Sequence, residues 1–362
     1  GTKELNVEDL IADEDMVVTV THAGYVKRTP VDTYRSQKRG GKGVQGVNLK
    51  DEDFVEELFV ASTHDYVLFF SNKGKVYRLK VHELPIGQRT ARGSHISNLV
   101  PFSEGEHSAA VITCRSFPED DFLMFATKNG TVKKTAMSAY DRTRKDGIIA
   151  INLRDNDELV NVRRVREGEK VILVSTDGKA IMFPESDVRP MGRDTSGVRG
   201  ITLKGDATML GMEITNGKGD LFVITEKGYG KRTPVAEYPE HKRGGQGVNT
   251  ITMTAKKGQL AACRVVGPQH ELMIVSGDGV VIRVKVNDIS KLGRSTQGVK
   301  IMSVADNDSV CALARMVAAR PDAKPADPNP AQPDHGVATA PSGDDPVDIG
   351  GDEQFDESVI DE

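Results

Sequence analysis

The chain has 362 residues, of which 38% are hydrophobic and 28% charged, with a formal net charge of −5; this composition is typical of a folded globular protein. Its apolar runs are too short to cross a bilayer, and no charged segment followed by an apolar one predicts a secretory leader. Cys114, Cys263 and Cys311 lie far apart, which argues against a disulfide framework or a cysteine zinc site and indicates a reducing compartment.

A lead-in of residues 1–15 is followed by six similar units. In each unit an apolar run ends in a short Ser/Thr-x-x-Gly turn, and the turn glycines are spaced by 50, 56, 48, 50 and 51 residues. A second glycine follows the first after 19 residues in five units and after 17 in the third. Glycine at a fixed place in every unit indicates a backbone position that needs positive φ or a close approach. The turn glycines are Gly24, Gly74, Gly130, Gly178, Gly228 and Gly279, and the second glycines are Gly43, Gly93, Gly147, Gly197, Gly247 and Gly298.

Each unit contains four short apolar segments. In the first unit they are Met16–Val20, Tyr25–Pro30, Gly43–Leu49 and Glu56–Ser62. Segments of this length, rich in Val, Ile and Leu and bounded by Gly, Asn and Asp turns, predict β-strands. No stretch of the chain holds a long apolar period of 3.6 residues, so no long amphipathic helix is predicted.

Four strands in each of six units predict an all-β, propeller-like disc of six four-stranded antiparallel blades. Each blade then buries its faces against two neighbours, which explains how a chain without Trp forms a core. An open β-solenoid is the alternative that the same repeats permit. The disc is predicted to cover residues 16–317, with approximate blade boundaries 16–65, 66–120, 121–169, 170–220, 221–270 and 271–317.

Residues 318–362 differ sharply from the repeats. They contain 7 prolines and 12 acidic but only 2 basic side chains, so the rest of the chain carries 46 basic and 41 acidic residues. Such a segment buries too little apolar surface to offset the entropy of ordering, and we expect an acidic, Pro-rich, disordered tail. A tethered tail of this charge predicts competition with a polyanion for the basic body, and a solubilising role is the alternative.

Positive charge also recurs in register. Basic residues stand four positions after five of the turn glycines, with Met182 in the fourth unit, and arginines stand four positions before five of the second glycines. Equivalent positions of a radial array lie at equivalent heights, so these side chains predict a basic belt around the rim that suits the bending of duplex DNA. Pairing with acidic groups of the next blade is the alternative. The predicted rim residues are Arg28, Arg78, Arg89, Arg92, Lys134, Arg142, Arg144, Lys145, Arg193, Arg232, Lys242, Arg243, Arg283 and Arg294.

The densest basic segment is a glycine-rich heptad in the first unit. Three cations and three glycines among seven residues suit a loop whose backbone amides approach phosphates closely. The fifth unit has a partial copy, His241–Gly247. The heptad consists of Gln37, Lys38, Arg39, Gly40, Gly41, Lys42 and Gly43.

This heptad resembles the gyrase A box, the signature of the C-terminal domain family of DNA gyrase A subunits. The resemblance extends over about residues 7–317 and all six units. It implies a β-pinwheel, a propeller relative in which neighbouring blades exchange strands, and it implies that duplex DNA wraps around the basic rim so that negative supercoils are introduced. The related topoisomerase IV protein has a similar domain with a degenerate box, so the intact heptad favours gyrase and leaves a topoisomerase IV-type domain as the alternative.

The resemblance also implies the partners. These are double-stranded DNA, the gyrase B subunit, plus the N-terminal part of the gyrase A subunit, in the bacterial cytoplasm and associated with the nucleoid. ATP and magnesium are expected in other parts of the full enzyme, with no cofactor and no membrane contact in this chain. The isolated domain is expected to be monomeric.

The other motifs do not predict an enzyme. Gly41-x-Gly43-x-x-Gly46 matches the dinucleotide fingerprint, but no helix follows it, and Lys42 lacks the following Ser/Thr of a Walker loop. The eight histidines form no metal-binding pair, and no nucleophile elbow is present. We therefore expect neither a catalytic centre nor a metal. A non-catalytic propeller that binds protein is the competing interpretation; a propeller hydrolase would need convergent acids that the units do not supply.

Overall fold

Apolar segments alternating with tight glycine turns form 23 short strands in the part of the chain that this computed structural model describes, residues 7–31, 55–88 and 90–317. The strands are, in chain order, β1 (Asp15–Thr21), β2 (Tyr25–Pro30), β3 (Val55–Ser62), β4 (Tyr66–Ser71), β5 (Lys75–Lys80), β6 (Ser94–His95), β7 (Ser108–Cys114), β8 (Phe122–Thr127), β9 (Thr131–Ala136), β10 (Ile148–Ile149), β11 (Leu159–Val165), β12 (Lys170–Ser175), β13 (Lys179–Pro184), β14 (Val198–Arg199), β15 (Met209–Thr215), β16 (Asp220–Thr225), β17 (Tyr229–Pro234), β18 (Val248–Asn249), β19 (Leu260–Val266), β20 (His270–Ser276), β21 (Val281–Lys285), β22 (Val299–Lys300) and β23 (Val310–Val317). Short 3-10 helices occupy Val7–Leu10, Val81–Glu83, Ile96–Asn98, Met137–Tyr140, Glu185–Asp187, Val235–Glu237, Ala255–Lys257 and Val286–Asp288.

These strands form six antiparallel sheets, which confirms the predicted six-bladed all-β fold. Five sheets have four strands, and the sixth has three within the described residues. The strand orders are β3-β1-β2-β6, β10-β5-β4-β7, β11-β8-β9-β14, β15-β12-β13-β18, β19-β16-β17-β22 and β21-β20-β23.

The outermost strand of each four-stranded sheet comes from the next repeat. Tyr25 and Val26 of β2, for example, pair with His95 and Ser94 of β6, which belongs to the second repeat. The same antiparallel exchange joins β5 to β10, β9 to β14, β13 to β18 and β17 to β22. The sequence repeat and the structural blade are therefore offset by one strand, and this exchange is the one that the β-pinwheel resemblance implies. It also covers a sheet edge that would otherwise be open.

Close backbone approach at the exchange explains why glycine recurs in the turns. Gly228 has φ +88°, and a Cβ atom at this position would lie 2.1 Å from the carbonyl oxygen of Met302. The Gly228 carbonyl in turn accepts hydrogen bonds from Ile301 and Met302 in the next repeat. A side chain at this turn would therefore push the exchanged segment away from its sheet.

The core lies between blades, not within one. In β4 the side chains of Val67 and Phe69 pack in the cluster shared with the first blade, whereas Leu68 and Phe70 pack in the cluster shared with the third blade. Because successive side chains of a strand point to opposite faces, a strand buried on both faces needs a continuous apolar run. This requirement accounts for the uninterrupted apolar segments in the sequence.

The inner strands β3, β7, β11, β15, β19 and β23 surround the axis of the disc. Contacts join β7 to β11, β11 to β15, β15 to β19, β19 to β23, and β23 to β3, so the last blade lies beside the first. Glu213 of β15 is buried on this axis and is held by Arg163 Nε at 3.4 Å and Arg264 Nη1 at 2.6 Å. These contacts tie blades three, four and five together.

Glu57 of β3 is a second buried acid on the axis. Its side chain is 8% exposed, and its Oε2 atom has no hydrogen-bond partner among the described residues. Burial, together with the charge of Glu56, raises the pKa of Glu57 to about 8 against the opposing effect of Arg163 and Arg264. Glu57 is therefore a proton-binding group of the folded state.

Glu57→Gln should stabilise the domain increasingly as pH rises. Between pH 4.5 and pH 8 the folded state retains a proton that the unfolded state has released, so native stability falls as pH increases through this window. The gain from Glu57→Gln should grow by about 1.4 kcal/mol for each pH unit in that range. Chemical unfolding at pH 5, 6.5 and 8 measures it, with Glu119→Gln, at an exposed acid that does not act on Glu57, as the control. A gain that is the same at all three pH values would contradict the assignment.

Candidate nucleic-acid interface

Some residues of the predicted interface lie within the part of the chain that the structure describes, and others lie outside it. The heptad Gln37–Gly43 and Arg89 lie outside the described residues, as does the acidic tail, 318–362. Their roles stay predictions from the sequence. The other thirteen predicted rim cations have defined positions.

Four of the five cations that follow the turn glycines extend toward the next blade. Each of the four donates to a main-chain carbonyl in or beside the 3-10 helix of the following repeat, and each therefore fastens one blade to the next. The pairs are Arg28 Nε to Leu84 O at 2.7 Å, Arg78 Nη1 to Asp141 O at 2.8 Å, Lys134 Nζ to Glu185 O at 3.2 Å and Arg232 Nε to Ile289 O at 2.9 Å.

Two of these cations also pair with acids. Lys134 is 6% exposed, and its Nζ atom lies 2.6 Å from Glu185 Oε2 of the next blade. Arg232 Nη1 lies 2.9 Å from Asp220 Oδ2 of its own blade. The Lys134–Glu185 pair is the inter-blade pairing considered as the alternative to a belt, whereas the Arg232–Asp220 pair lies within one blade. Burial leaves Lys134 with little surface for a phosphate.

The remaining members of this series differ because of their neighbours. Met182, which replaces the cation in the fourth repeat, is buried at 4% exposure. Arg283 in the sixth repeat lies on β21, next to which no further strand is described, and its side chain is 61% exposed with Glu271 at 3.3 Å. Burial lowers the pKa of the Arg28 guanidinium.

Three arginines before the second glycines form a regular row at the blade junctions. Each guanidinium is half-buried and donates to the second residue of the exchanged strand on the preceding sheet. The pairs are Arg193 Nη1 to Ile149 O at 2.7 Å, Arg243 Nη1 to Arg199 O at 3.1 Å and Arg294 Nη1 to Asn249 O at 3.2 Å. We call Arg193, Arg243 and Arg294 the rim arginines.

Each rim arginine is held in one orientation by hydrogen bonds that do not use all of its N–H donors. Arg243 Nε additionally donates to Asp187 O at 3.1 Å, and Arg294 Nε to Glu237 O at 3.1 Å. A guanidinium has five N–H donors, so partly exposed groups with one or two anchoring bonds retain donors for an anion. Around Arg294 the surface forms a groove that is also lined by Glu237, Val248, Asn249 and Ser295.

The other predicted cations are mostly exposed. In the third repeat the loop before Gly147 presents three of them, and Arg144 Nε lies 3.4 Å from Asp146 Oδ1. In the fifth repeat Lys242 is exposed beside Arg243. Arg92 differs, because its guanidinium lies 3.6 Å from the centre of the Tyr25 ring. The three exposed cations of the third repeat are Arg142, Arg144 and Lys145.

Two exposed cations of the rim were missed by the sequence analysis. Arg199 and Lys300 are the second residues of the exchanged strands β14 and β22, and both are exposed. Arg199 O accepts the hydrogen bond of Arg243, which brings Arg199, Arg243 and Lys242 to one loop region. The sequence position that could have identified them lies two residues after the second glycine. In repeats two to six it holds His95, Ile149, Arg199, Asn249 and Lys300.

The loop at 241–247 is fixed by backbone bonds to the preceding repeat. Gly244 N donates to Gly200 O at 2.7 Å, and Thr202 N donates to Gly245 O at 2.9 Å. The φ of Gly244 is +91°, a conformation that glycine adopts without strain. The partial copy of the heptad is thus a braced turn at the rim.

Within residues 7–31, 55–88 and 90–317, no three His, Cys, Asp or Glu side chains are grouped to hold a metal ion. In the same part of the chain, no helix has the length and apolar character to cross a membrane.

Comparison with known proteins identifies the repeats. A profile of the family described as DNA gyrase C-terminal domain, beta-propeller, matches six segments of the chain. The matched residues are 15–62, 65–114, 121–166, 169–216, 219–266 and 270–314.

Similar curated proteins are DNA gyrase A subunits. The chain is 46% identical over 314 residues to the DNA gyrase A protein of Mycobacterium tuberculosis (strain ATCC 25618 / H37Rv), covering 86% of this chain and 38% of that protein. It is 43% identical over 319 residues to the corresponding protein of Staphylococcus epidermidis (strain ATCC 12228 / FDA PCI 1200), covering 87% of this chain and 36% of that protein. The chain thus spans less than two fifths of the length of these relatives.

Solved structures agree. The crystal structure of the C-terminal domain of DNA topoisomerase IV matches with a TM-score of 0.75 and 28% identity over 85% of this chain and 94% of that one. The structure of a DNA gyrase A C-terminal domain matches with a TM-score of 0.67 and 28% identity over 83% of this chain and 99% of that one. The chain belongs to the DNA gyrase C-terminal domain, beta-propeller, family.

Proposed function

We propose that this chain binds duplex DNA along its rim and wraps it, as a non-catalytic domain of a gyrase that introduces negative supercoils. The observation that carries the proposal is the row of rim arginines. Arg193, Arg243 and Arg294 occupy the same place on successive repeats, each is anchored to an exchanged strand, and each is partly exposed. A curved row of oriented guanidinium groups suits the phosphates of a bent duplex.

The exposed cations beside this row support the same surface. Lys242 and Arg199 lie next to Arg243, and Lys300 lies on the exchanged strand that follows Arg294. The heptad Gln37–Gly43 would extend the surface into the first repeat. The contacts involve backbone phosphates, so we expect binding with little sequence preference and strong salt dependence.

The family relationship supplies the context of the proposal. The relatives are whole gyrase A subunits of bacteria, so the proposed partners are DNA, the gyrase B subunit, plus the N-terminal part of the gyrase A subunit, in the cytoplasm. ATP, magnesium and DNA cleavage would belong to those other parts. A topoisomerase IV-type role is the second candidate, favoured by the structural match to the topoisomerase IV domain.

Removal of the rim arginines should weaken DNA binding in a salt-dependent manner. For Arg193→Ala/Arg243→Ala/Arg294→Ala, the slope of log affinity against log salt should fall by about 3, because each phosphate contact contributes about 0.9. Fluorescence anisotropy with a labelled duplex, measured over a salt series, gives the slope.

The matched control removes the same charge from the turns that follow the inner strands β7, β11 and β15, as Arg115→Ala/Arg166→Ala/Lys218→Ala. This variant should keep the slope of the unaltered chain. Thermal unfolding of both variants separates a loss of binding from a loss of folding. Equal loss of slope in the two variants would show a nonspecific charge effect and contradict the rim assignment.

Removal of the acidic tail should tighten DNA binding. Residues 318–362 carry ten net negative charges, and tethering them to the disc keeps them at high effective concentration near the rim. Deletion of 318–362 should therefore raise affinity most at low salt, where charge is least screened. The same anisotropy assay measures the change. Unaltered affinity at low salt would leave the tail with a solubilising role only.

A further inference from the structure

Three buried lysines hold the loops of the neighbouring repeat. Lys231 and Lys133 are fully buried and Lys27 is 3% exposed, an uncommon environment for an ammonium group. Each lies three residues after a turn glycine, and each Nζ atom donates to carbonyl oxygens of the next repeat. The acceptors include Gln88 O and Ala91 O for Lys27, Gly192 O and Arg193 O for Lys133, and Gly293 O, Arg294 O and Thr296 O for Lys231.

These lysines alternate around the disc. The same position is Tyr77, Ile181 and Ile282 in the second, fourth and sixth repeats. The lysines of repeats one, three and five therefore reach the loops of repeats two, four and six. The buried lysine therefore recurs in every second repeat, whereas the turn glycine recurs in every repeat.

Lys231 has four acceptors, all of them in the next repeat. Its Nζ atom lies 2.5 Å from Gly293 O, 3.1 Å from both Arg294 O and Thr296 O, and 2.9 Å from Thr296 Oγ1. Four oxygens around one ammonium offset much of the cost of taking the charge out of water. Burial is also the main cause that lowers the pKa of Lys231 to about 8.

The lysines fix the main chain of residues whose side chains form the rim row. Arg294 O accepts from Lys231, while the Arg294 guanidinium donates to Glu237 O and Asn249 O. Arg193 is held in the same way, because its carbonyl accepts from Lys133 at 2.7 Å and its guanidinium donates to Ile149 O at 2.7 Å. Both ends of each residue are therefore restrained.

We propose that Lys133 and Lys231 are positioning residues for DNA binding: each buried ammonium holds the loop that presents one rim arginine, Arg193 or Arg294, to a phosphate. This inference rests on the proposed DNA-binding function. It assigns a role to two lysines that touch no DNA themselves. Arg243 has no such support, since Ile181 occupies the equivalent position before its loop, and its loop is braced by backbone bonds instead.

A double-mutant cycle tests the proposal. Lys231→Met keeps a similar side-chain length without the charge, and it should lower DNA affinity by roughly three- to tenfold and the salt slope by about 1, as should Arg294→Ala. If Lys231 acts through Arg294, the DNA affinity of the double variant should lie within about twofold of the affinity of Arg294→Ala. Combined losses that multiply would overturn the proposal, because they would mean independent effects.

A second cycle and a control separate positioning from folding. Lys133→Met with Arg193→Ala repeats the test at the other site, whereas Lys231→Met combined with Arg243→Ala should give losses that multiply. If Lys231→Met shows no cooperative unfolding transition, and so does not fold, the pH dependence of DNA binding by the unaltered chain tests the proposal instead. The charged groups that face Lys231 are Glu237 and Arg294, and those that face Lys133 are Arg193 and Asp194.

The pH profile follows from the acid–base properties of the two lysines. Burial lowers the pKa of Lys133 to about 7 and that of Lys231 to about 8, so DNA affinity should fall between pH 6.5 and pH 9 as both ammonium groups lose their protons. In Arg193→Ala/Arg294→Ala the profile should be flatter. A flat profile in the unaltered chain would overturn the inference. Weak, salt-insensitive binding by the unaltered chain would instead contradict the proposed function.

Discussion

Exchange of one short strand between neighbouring repeats is the constraint on which the rest of the structure depends. Repeats two to six each complete the sheet of the repeat before them, so none of the five four-stranded sheets is a closed unit of sequence. The exchange places a two-residue strand at the outer edge of each four-stranded sheet and brings the loop before it onto the neighbouring blade. The rim is therefore built of junctions, and each junction carries residues from two repeats.

The cations of the disc have two roles because of this offset. Arg28 and Lys134 extend from an inner position of the sheet into the next blade and hold it. Arg193 and Arg294 arrive with the exchanged loop and face outward at the junction. The buried lysines connect the two sets, since they rise from the sheet and hold the loops that carry the arginines. Positive charge thus stabilises the assembly of blades and, in the proposed function, also binds DNA.

The sequence was sufficient for the fold and only in part for the site. Glycines in register defined six blades because a turn such as the one at Gly228 admits no side chain. The sequence did not distinguish Lys134 from Arg193, because a basic residue recurs at both of these positions of the repeat. Only the offset between repeat and blade decides which of the two side chains the next blade buries. Lys231 was overlooked because the sequence does not show that carbonyl groups of the next repeat enclose its ammonium group. Arg199 was overlooked because its side chain is directed outward only through the exchange of its strand.

The central claim is that the rim wraps DNA, and a linking-number assay tests it most directly. Relaxed circular DNA is incubated at low salt with the chain and a nicking-closing enzyme, beside a variant with Lys38, Arg39 and Lys42 changed to Ala. The account predicts a change of linking number with the unaltered chain and its loss or marked reduction in the variant. No change of linking number with the unaltered chain, even after removal of residues 318–362, would contradict the claim.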